Sequence, residues 1–357
     1  MQRGPDRTWG CRLETDVILR GWRAAILENE LLRVTVLLDK GSDIHEFLYK
    51  PRDVDFMWRT PTGLRRPPVV PTTRADGGFL EHYQGGWQEI LPSGGPPCTF
   101  QGSVFGQHDE TPQLAWEGEV VEDEPEAVAL RCRVQTIRSP FLVEKTLRLE
   151  QGRAVLFIEE RLTNVGAEPW PYMWGHHPAV GEPFLDESCR IDCAAQTVIV
   201  HEPAITPTPR LPAGRRFSWP HGEDTGGRAV DFSAIPPRSL GATDLAYLTD
   251  LRAGWYALTN TRQKLGFGMA WDPAVFPHIW YWQAFGGNTG SPWFSATYNL
   301  ALEPWTSIPG MGLATAVEHG TAARLGPGES RTTKLLAVAY EGCDQVSDIA
   351  LATGAVA

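Results

Sequence analysis

Four consecutive strand-like runs in the middle of the chain constrain its fold more than any other feature. They cover residues 114–122, 127–136, 142–149 and 155–163, and short acidic or glycine-containing breaks separate them. Alternation of apolar and polar residues is typical of strands with one buried face, and such breaks favour solvent-exposed turns. The pattern predicts an antiparallel meander. Helical periodicity is scarce in the rest of the sequence, so we predict an all-β protein.

Strand-like runs also lie on both sides of this meander. A hairpin is predicted from residues 24–29 and 31–38, followed by a third strand at 43–49. Later strands are predicted at residues 245–248, 253–260, 265–271, 278–283, 295–302 and 332–339. No shift in composition divides the chain, so we expect one large antiparallel β-sandwich over residues 1–342. The tail, residues 343–357, is expected to be dispensable.

The bulk composition narrows the classes of partner. The chain of 357 residues carries a formal net charge of −11, whereas binding to nucleic acids or anionic membranes requires a basic surface. The sequence contains no run that resembles a signal peptide or a membrane span, and its six cysteines are scattered. These features predict a cytoplasmic protein with reduced thiols that binds neither nucleic acid nor membrane.

Two segments far apart in the chain offer a proton donor and a proton acceptor. Residues 174–178 have the sequence WGHHP, and residues 299–304 have the sequence NLALEP. A histidine before proline is held in an extended conformation, and a pKa near ~6.5 suits proton transfer at neutral pH. A strand-end carboxylate between leucine and proline is partly desolvated, which raises its pKa toward that of a useful base. His177 and Glu303 are therefore predicted to be an acid–base pair.

Both segments resemble signatures of the aldose 1-epimerase (galactose mutarotase) superfamily, in which His-Pro follows a Thr-Asn strand and Leu-Glu-Pro closes the catalytic core. The resemblance extends over about residues 20–340. It implies a super-sandwich fold and an isomerase that interconverts the anomers of a cyclic sugar. Glu303 would take the proton of the anomeric hydroxyl, and His177 would protonate the ring oxygen, with no metal or cofactor. His176 would point the other way in an extended segment, and which histidine is the acid stays open.

Further residues are expected to bind the sugar. The resemblance places a histidine near residue 108 and an aspartate in an Asp-x-x-aromatic segment beside the substrate. The arginine that often precedes the Gly-Gly loop of the family is replaced by Gln84, so another arginine is expected to substitute for it. The run of aromatic residues at 280–283 is expected to contribute a stacking platform. The predicted substrate-binding residues are His108, Glu110, Asp244, Arg74, Trp282, Gln283 and His176.

Two other functions stay open at this stage. An epimerase for a phosphorylated or sulfonated sugar on the same fold would need a basic patch, for which Arg59, Arg65, Arg66 and Arg74 are candidates. A non-catalytic carbohydrate-binding protein would keep the tryptophans, of which the chain has 14, but would tolerate loss of Glu303. In each case the expected partner is a monosaccharide or sugar derivative, bound by a monomer or a homodimer.

Overall fold

The computed structural model of the protein describes residues 7–67, 77–207 and 209–357. Its strands and helices are numbered here in chain order within these ranges. The first strands are β1 (Arg12–Leu19), β2 (Trp22–Glu28), β3 (Leu32–Leu37), β4 (Asp43–Tyr49), β5 (Val54–Asp55), β6 (Trp87–Ile90), β7 (Pro92–Ser93), β8 (Cys98–Phe100), β9 (Ser103–Phe105), β10 (Asp109–Glu110), β11 (Glu117–Asp123), β12 (Ala127–Gln135), β13 (Phe141–Glu150) and β14 (Val155–Asn164).

The later strands are β15 (Trp170–Tyr172), β16 (Gly175–Gly181), β17 (Cys189–Cys193), β18 (Thr197–Val200), β19 (Arg216–Ser218), β20 (His221–Glu223), β21 (Ala229–Asp231), β22 (Ala242–Thr249), β23 (Trp255–Asn260), β24 (Leu265–Trp271), β25 (His278–Phe285), β26 (Tyr298–Trp305), β27 (Ala323–Leu325) and β28 (Ser330–Glu341). Two short α-helices lie in the described ranges, α1 (Gly77–His82) and α2 (Leu313–Glu318). Single 3₁₀ turns lie at Lys50–Arg52, Thr111–Gln113 and Arg238–Leu240.

The predicted meander is present as β11 to β14, and each of these strands pairs antiparallel with the next. Burial alternates from residue to residue along the whole of β13, because successive side chains of a strand point to opposite faces of the sheet. β14 then pairs with β28, which brings the last long strand of the chain beside the meander. The prediction of an all-β protein is confirmed.

Two large antiparallel sheets face each other in the described part of the chain. The larger has twelve strands in the order β1-β2-β3-β4-β6-β16-β26-β25-β22-β18-β19, with β5 paired to β4. The smaller has eight strands in the order β11-β12-β13-β14-β28-β24-β23-β17. Apolar side chains of both sheets form one core between them, as where the rings of Phe47 on β4 and Phe267 on β24 lie 5.4 Å apart. This is the predicted β-sandwich.

The outer face of the larger sheet is covered by loops and by the two short helices. Leu313 of α2 packs with Trp280 and Trp305 of the sheet, and Phe79 of α1 packs in a second cluster with Ala179 of β16. Gly175, at the start of β16, lies so close to the Trp305 indole that any side chain there would collide with it. The glycine before the two histidines is therefore required by this close packing.

The C-terminal residues 343–357 also pack against the sandwich. Val346 and Ile349 are buried in a cluster with Trp255 of β23 and Leu336 of β28, on the outer face of the smaller sheet. Burial of these two side chains gives the tail a stabilising contact with the domain. None of the helices in the described ranges combines the length and apolar character needed to cross a bilayer.

Candidate active site

The histidine and the carboxylate of the two sequence segments lie side by side on the outer face of the larger sheet. β16 and β26 are antiparallel neighbours, and their register, with Ala179 opposite Ala301, places His177 opposite Glu303. The Nε2 atom of His177 and the Oε1 atom of Glu303 are 3.5 Å apart. The structure thus brings together two residues that are 126 positions apart in the sequence, in contact rather than a sugar ring apart.

Each member of the pair has a further polar neighbour. Trp305, two residues after Glu303 on the same face of β26, donates its indole N–H to Glu303 Oε2 at 2.9 Å. The hydroxyl oxygen of Tyr83, the residue that follows α1, is 3.4 Å from Nδ1 of His177. Oε1 of Glu303 and Nε2 of His177 are therefore the two atoms that remain to act on a bound molecule.

Aromatic side chains enclose the pair. The Trp282 ring centroid lies 5.5 Å from that of His177. Trp58, Tyr83 and Trp293 pack around Trp282, with ring centroids 6.2, 6.5 and 6.1 Å from it. Trp293 belongs to the loop 286–297 that joins β25 to β26. This loop therefore covers the site at the end of β25 and the start of β26. Apolar walls with a few polar groups between them are typical of sites for small organic molecules.

Both His177 and Glu303 are buried, and this burial affects which of their protonation states are favoured. Glu303 is 2% and His177 5% exposed, and no lysine or arginine of the described residues forms an ion pair with Glu303. Burial raises the pKa of Glu303 well above its usual range, and the Trp305 hydrogen bond only partly offsets this. Burial lowers the pKa of His177 to about 4. Burial thus favours the uncharged form of both groups, the neutral imidazole and the protonated carboxyl group.

His108 lies beside this pair, whereas the Glu110 carboxylate is bound by another part of the chain. The His108 ring centroid is 5.6 Å from that of His177, and burial, with a smaller effect of His177, holds the pKa of His108 well below its usual range. Glu110 accepts hydrogen bonds from the backbone N–H groups of Ile137 and Arg138 and from the Ser139 hydroxyl. Its carboxylate fixes the loop between β12 and β13 to the sheet and has little capacity left for a sugar.

His176 points to the opposite face of β16, into the core between the sheets. Its Nδ1 accepts a hydrogen bond from the Trp87 indole at 3.1 Å, and its Nε2 is 3.1 Å from Glu160 Oε2. Strand alternation separates the two adjacent histidines, as the sequence predicts. The geometry therefore favours His177 over His176 as the partner of Glu303.

Asp244 and Gln283 also lie on the core side of the larger sheet. They are opposite each other on β22 and β25, one residue out of phase with Trp282. Asp244 accepts a hydrogen bond from the Leu211 backbone N–H at 3.0 Å, and Arg210 reaches both Asp244, at 3.3 Å, and Gln283 Oε1, at 2.7 Å. The structure does not bring this cluster to His177 and Glu303.

Three of the four predicted basic residues lie in the described ranges, and none of these three forms an ion pair with Glu303. Arg74 lies outside the described residues. The Arg59 guanidinium pairs with Asp55 at 2.5 Å and donates to the Met57 carbonyl, and Arg65 and Arg66 are exposed. In the described ranges, no cluster of three or more His, Cys, Asp or Glu side chains is arranged to hold a metal ion.

Several residues of the site were not predicted from the sequence. Trp305 has a readable signal, because a residue two positions after Glu303 in a strand must share its face. The other residues lie outside the strands, where no periodicity indicates which way a side chain points. They are Tyr83, Trp58 and Trp293. They reach the site only because the loops fold over the sheet.

The fold matches known proteins over most of its length. The family model described as Domain of unknown function (DUF4432) matches residues 19–217. Among solved structures, a candidate aldose 1-epimerase from Klebsiella pneumoniae has a TM-score of 0.66 at 15% identity, with 92% of this chain and 87% of that chain covered. A galactose mutarotase-like protein from Clostridium acetobutylicum has a TM-score of 0.63 at 13% identity, covering 93% and 99%.

A galactose mutarotase related enzyme from Lactobacillus acidophilus has a TM-score of 0.59 at 16% identity, covering 91% of this chain and 99% of that one. At such low identity these matches establish the fold and not the reaction. The resemblance predicted from the two sequence segments is thereby confirmed for the fold.

Proposed function

Since this chain belongs to the family described as Domain of unknown function (DUF4432) and has a mutarotase-like fold, we propose that it is an isomerase of the aldose 1-epimerase type. Its substrate would be a monosaccharide or sugar derivative whose anomers it interconverts. The observation that carries this proposal is the contact between His177 and Glu303 inside an aromatic enclosure. A buried acid–base pair that no lysine or arginine of the described residues neutralises indicates a chemical use rather than a stabilising one.

The side-by-side geometry suits this reaction. The anomeric hydroxyl oxygen and the ring oxygen of a pyranose are bonded to the same carbon, so two adjacent groups can reach both. Glu303 Oε1 would take the proton of the anomeric hydroxyl, and Nε2–H of His177 would protonate the ring oxygen. The ring then opens to the free aldehyde, which rotates and closes to either anomer. Trp305 holds Oε2 of Glu303, so the other oxygen is the one presented to the sugar.

The protonation of the pair supplies the proton that the reaction needs. Burial favours the uncharged form of each group, because it raises the pKa of Glu303 well above its usual range and lowers the pKa of His177 to about 4. A proton on Oε1 of Glu303 would move to Nε2 of a neutral His177 that carries its other proton on Nδ1, and this transfer gives the carboxylate and the imidazolium that start the reaction. Sugar hydroxyl groups that replace the direct contact would stabilise the carboxylate by hydrogen bonding.

The test measures anomerisation of neutral, phosphorylated and sulfonated sugars by saturation transfer or polarimetry. We expect wild type to accelerate anomerisation of at least one sugar. Glu303→Gln and His177→Asn should each lower the rate by about 10²- to 10⁴-fold, the usual contribution of one positioned proton transfer. Glu119→Gln and His221→Asn change exposed residues of the same types and serve as matched controls with wild-type rates.

The outcomes separate the alternatives. Unchanged rates in both site variants, with a folded protein, would rule out the assignment of the pair. Acceleration restricted to phosphorylated or sulfonated sugars, inhibited by inorganic phosphate or sulfate, would identify an epimerase for an anionic sugar. Binding of a sugar without any rate enhancement would identify a carbohydrate-binding protein.

A further inference from the structure

Two buried polar side chains at the start of β26 have no hydrogen-bond partner among the described residues. Asn299 is 0% exposed, and neither Nδ2 nor Oδ1 of its amide has a partner. Thr297, two residues earlier, is also 0% exposed, and its hydroxyl group has no partner either. Because buried polar groups in folded proteins are almost always hydrogen-bonded, these orphaned atoms need an explanation.

Both side chains share a face of the sheet with the candidate active site. Alternate residues of a strand point to the same side, so Asn299, four residues before Glu303, points to the outer face as Glu303 does. The register agrees, because Asn299 is opposite Gly181 on β16. The Thr297 carbonyl accepts the Gly286 N–H at 2.9 Å, which continues the pairing of β25 with β26 and places Thr297 on this face too.

The loop that joins β25 to β26 lies over this part of the sheet. On one side, Asn288 of the loop accepts a hydrogen bond from Thr243 of β22. On the other side, Trp293 of the loop packs against Trp58, which is hydrogen-bonded to β16, with ring centroids 6.0 Å apart. Asn299 belongs to β26, which lies between β22 and β16 in the sheet. The orphaned groups therefore face the underside of this loop.

The same loop closes the active site, and its internal hydrogen bonds allow it to move as one unit. At its base the Gly286 N–H donates to the Thr297 carbonyl, and the N–H groups of Trp293 and Ser295 donate to carbonyls within the loop. The acid–base pair is almost fully buried, so a sugar reaches it only when a covering segment moves. Movement of this loop would open the active site and uncover Asn299 together.

The separation along β26 indicates the size of a molecule that reaches both places. The four residues from Glu303 to Asn299 span ~13 Å of strand. One pyranose ring is shorter than this, whereas two linked rings are of about this length. A sugar whose anomeric carbon lies at Glu303 would therefore place a second ring at Asn299.

The chemistry of the orphaned groups suits an uncharged, hydroxylated ring. An amide offers both donors and an acceptor, and a threonine hydroxyl can do either. No lysine or arginine of the described residues contacts these groups, so a buried anion at this place would be uncompensated. Neutral sugar hydroxyl groups can pair with all three orphaned atoms.

We infer that Thr297 and Asn299 form a second binding subsite, which holds an uncharged sugar ring linked to the reacting one, and that the substrate is a reducing disaccharide. The reaction at the first ring rests on the proposed function, whereas binding of the second ring does not. Each hydrogen bond to the second ring satisfies a group that the free protein leaves unpaired. The subsite should therefore favour a disaccharide over a monosaccharide by about tenfold.

The first test measures binding by isothermal titration calorimetry. The probes are maltose, cellobiose, lactose and melibiose, with glucose and galactose for comparison. Wild type should bind at least one disaccharide about tenfold more tightly than either monosaccharide, and Asn299→Leu should abolish this preference at unchanged monosaccharide affinity. Equal affinity for both classes in wild type, no binding of any disaccharide, or a preference that survives in Asn299→Leu would overturn the inference.

The second test determines whether the free protein leaves these groups unpaired. Thr297→Val removes the hydroxyl group at nearly constant shape, so the denaturation midpoint without sugar should stay the same or rise. Thr259→Val is the matched control, because Thr259 is also 0% exposed but shares a hydrogen bond with the Tyr340 hydroxyl at 2.6 Å. Its midpoint should fall, and its preference for a disaccharide should be that of wild type.

A midpoint that falls as much in Thr297→Val as in Thr259→Val would contradict the subsite, because the Thr297 hydroxyl would then already have a partner such as a bound water. The binding results also separate the subsite from the proposed function. A preference for a disaccharide without anomerisation of any sugar would retain the subsite and refute the isomerase. Anomerisation of glucose or galactose without any preference for a disaccharide would retain the isomerase and refute the subsite.

Discussion

The two faces of β16 carry two buried histidine–glutamate pairs, back to back, with opposite electrostatic surroundings. On the outer face, His177 meets Glu303 within aromatic walls, and no lysine or arginine in ranges 7–67, 77–207 and 209–357 pairs with this carboxyl group. On the core face, His176 meets Glu160 at 3.1 Å, beside a lysine. The backbone is the same strand, and both histidines are almost fully buried. The main electrostatic difference between the described residues of the two faces is therefore the lysine beside the core pair.

The core pair belongs to a balanced network. Lys145 of β13, 3% exposed, lies 3.1 Å from Glu89 of β6, which also accepts the Trp174 indole N–H at 2.9 Å. Burial acts to lower the pKa of Lys145, but the negative charge of Glu89 and smaller contributions outweigh it and leave this pKa raised. Burial raises the pKa of Glu160 to about 8, which favours its neutral form at pH 7, and burial raises the pKa of Glu89 as well. The Lys145 cation stabilises the ionised form of Glu89, its direct partner.

This comparison separates a structural from a functional use of buried charge. The network around Lys145 joins β13 and β14 of the smaller sheet to β6 and β16 of the larger sheet, beneath the candidate site. The Lys145 cation lies against the Glu89 carboxylate, as buried ionic groups must if they are to be tolerated, although Oε1 of Glu160 has no hydrogen-bond partner among the described residues. No cation of the described residues compensates Glu303, and its burial is a local cost that the rest of the fold offsets. Costs of this kind cluster at functional sites.

The largest effect on stability is expected at Lys145. Lys145→Met removes the cation, leaves Glu89 buried and unpaired, and should lower the free energy of unfolding by about 3–5 kcal/mol. Denaturant unfolding of the purified variant measures this. The double variant Lys145→Met with Glu89→Gln removes both charges and should recover much of the loss. Equal destabilisation of the single and double variants would contradict a balanced pair.

Glu303→Gln should have the opposite effect on stability from Lys145→Met. It keeps the shape of the side chain and removes a carboxyl group that must be protonated to be buried, so it should raise the free energy of unfolding by about 0.5–2 kcal/mol at pH 7. Burial raises the pKa of Glu303 in the folded protein above its value in the unfolded chain. Between these two pKa values the folded protein binds more protons than the unfolded chain, so the stability of wild type falls as the pH rises through this range. The advantage of glutamine should therefore shrink toward pH 4. A variant that is less stable than wild type at pH 7 would break the contrast with Lys145.

Much of this contrast is readable from the sequence, because it depends on strand alternation. Lys145 stands at the centre of β13, two residues from apolar neighbours on either side that are buried with it. The same alternation separates His176 from His177 and Gln283 from Trp282. Because Gln283 directly follows Trp282, alternation alone predicts that Gln283 faces the core if Trp282 faces the site.

The remainder of the site depends on contacts that no local pattern encodes. The segments that carry Tyr83 and Trp293 are loops over the outer face, and their positions follow from how they pack on Trp58 and Trp282. The 3.5 Å contact between His177 and Glu303 depends on the pairing of β16 with β26, strands that are remote in sequence. The sequence analysis predicted both members of the pair but not their direct contact, because register across a sheet is set by the whole fold.

The smallest effect is expected at His176, and it decides between the two adjacent histidines. His176→Gln retains one donor and one acceptor for Glu160 and the Trp87 indole, so the free energy of unfolding should fall by only about 0.5–1 kcal/mol. The backbone pairing of β16 with β6 and β26 holds His177 in place, so the anomerisation rate should fall less than threefold, far below the loss expected for His177→Asn. Measuring both variants side by side, at matched folded fractions, checks this. If His176→Gln removed the activity while His177→Asn retained it, the proton donor would lie on the core face, and the uncompensated charge of Glu303 would need another explanation.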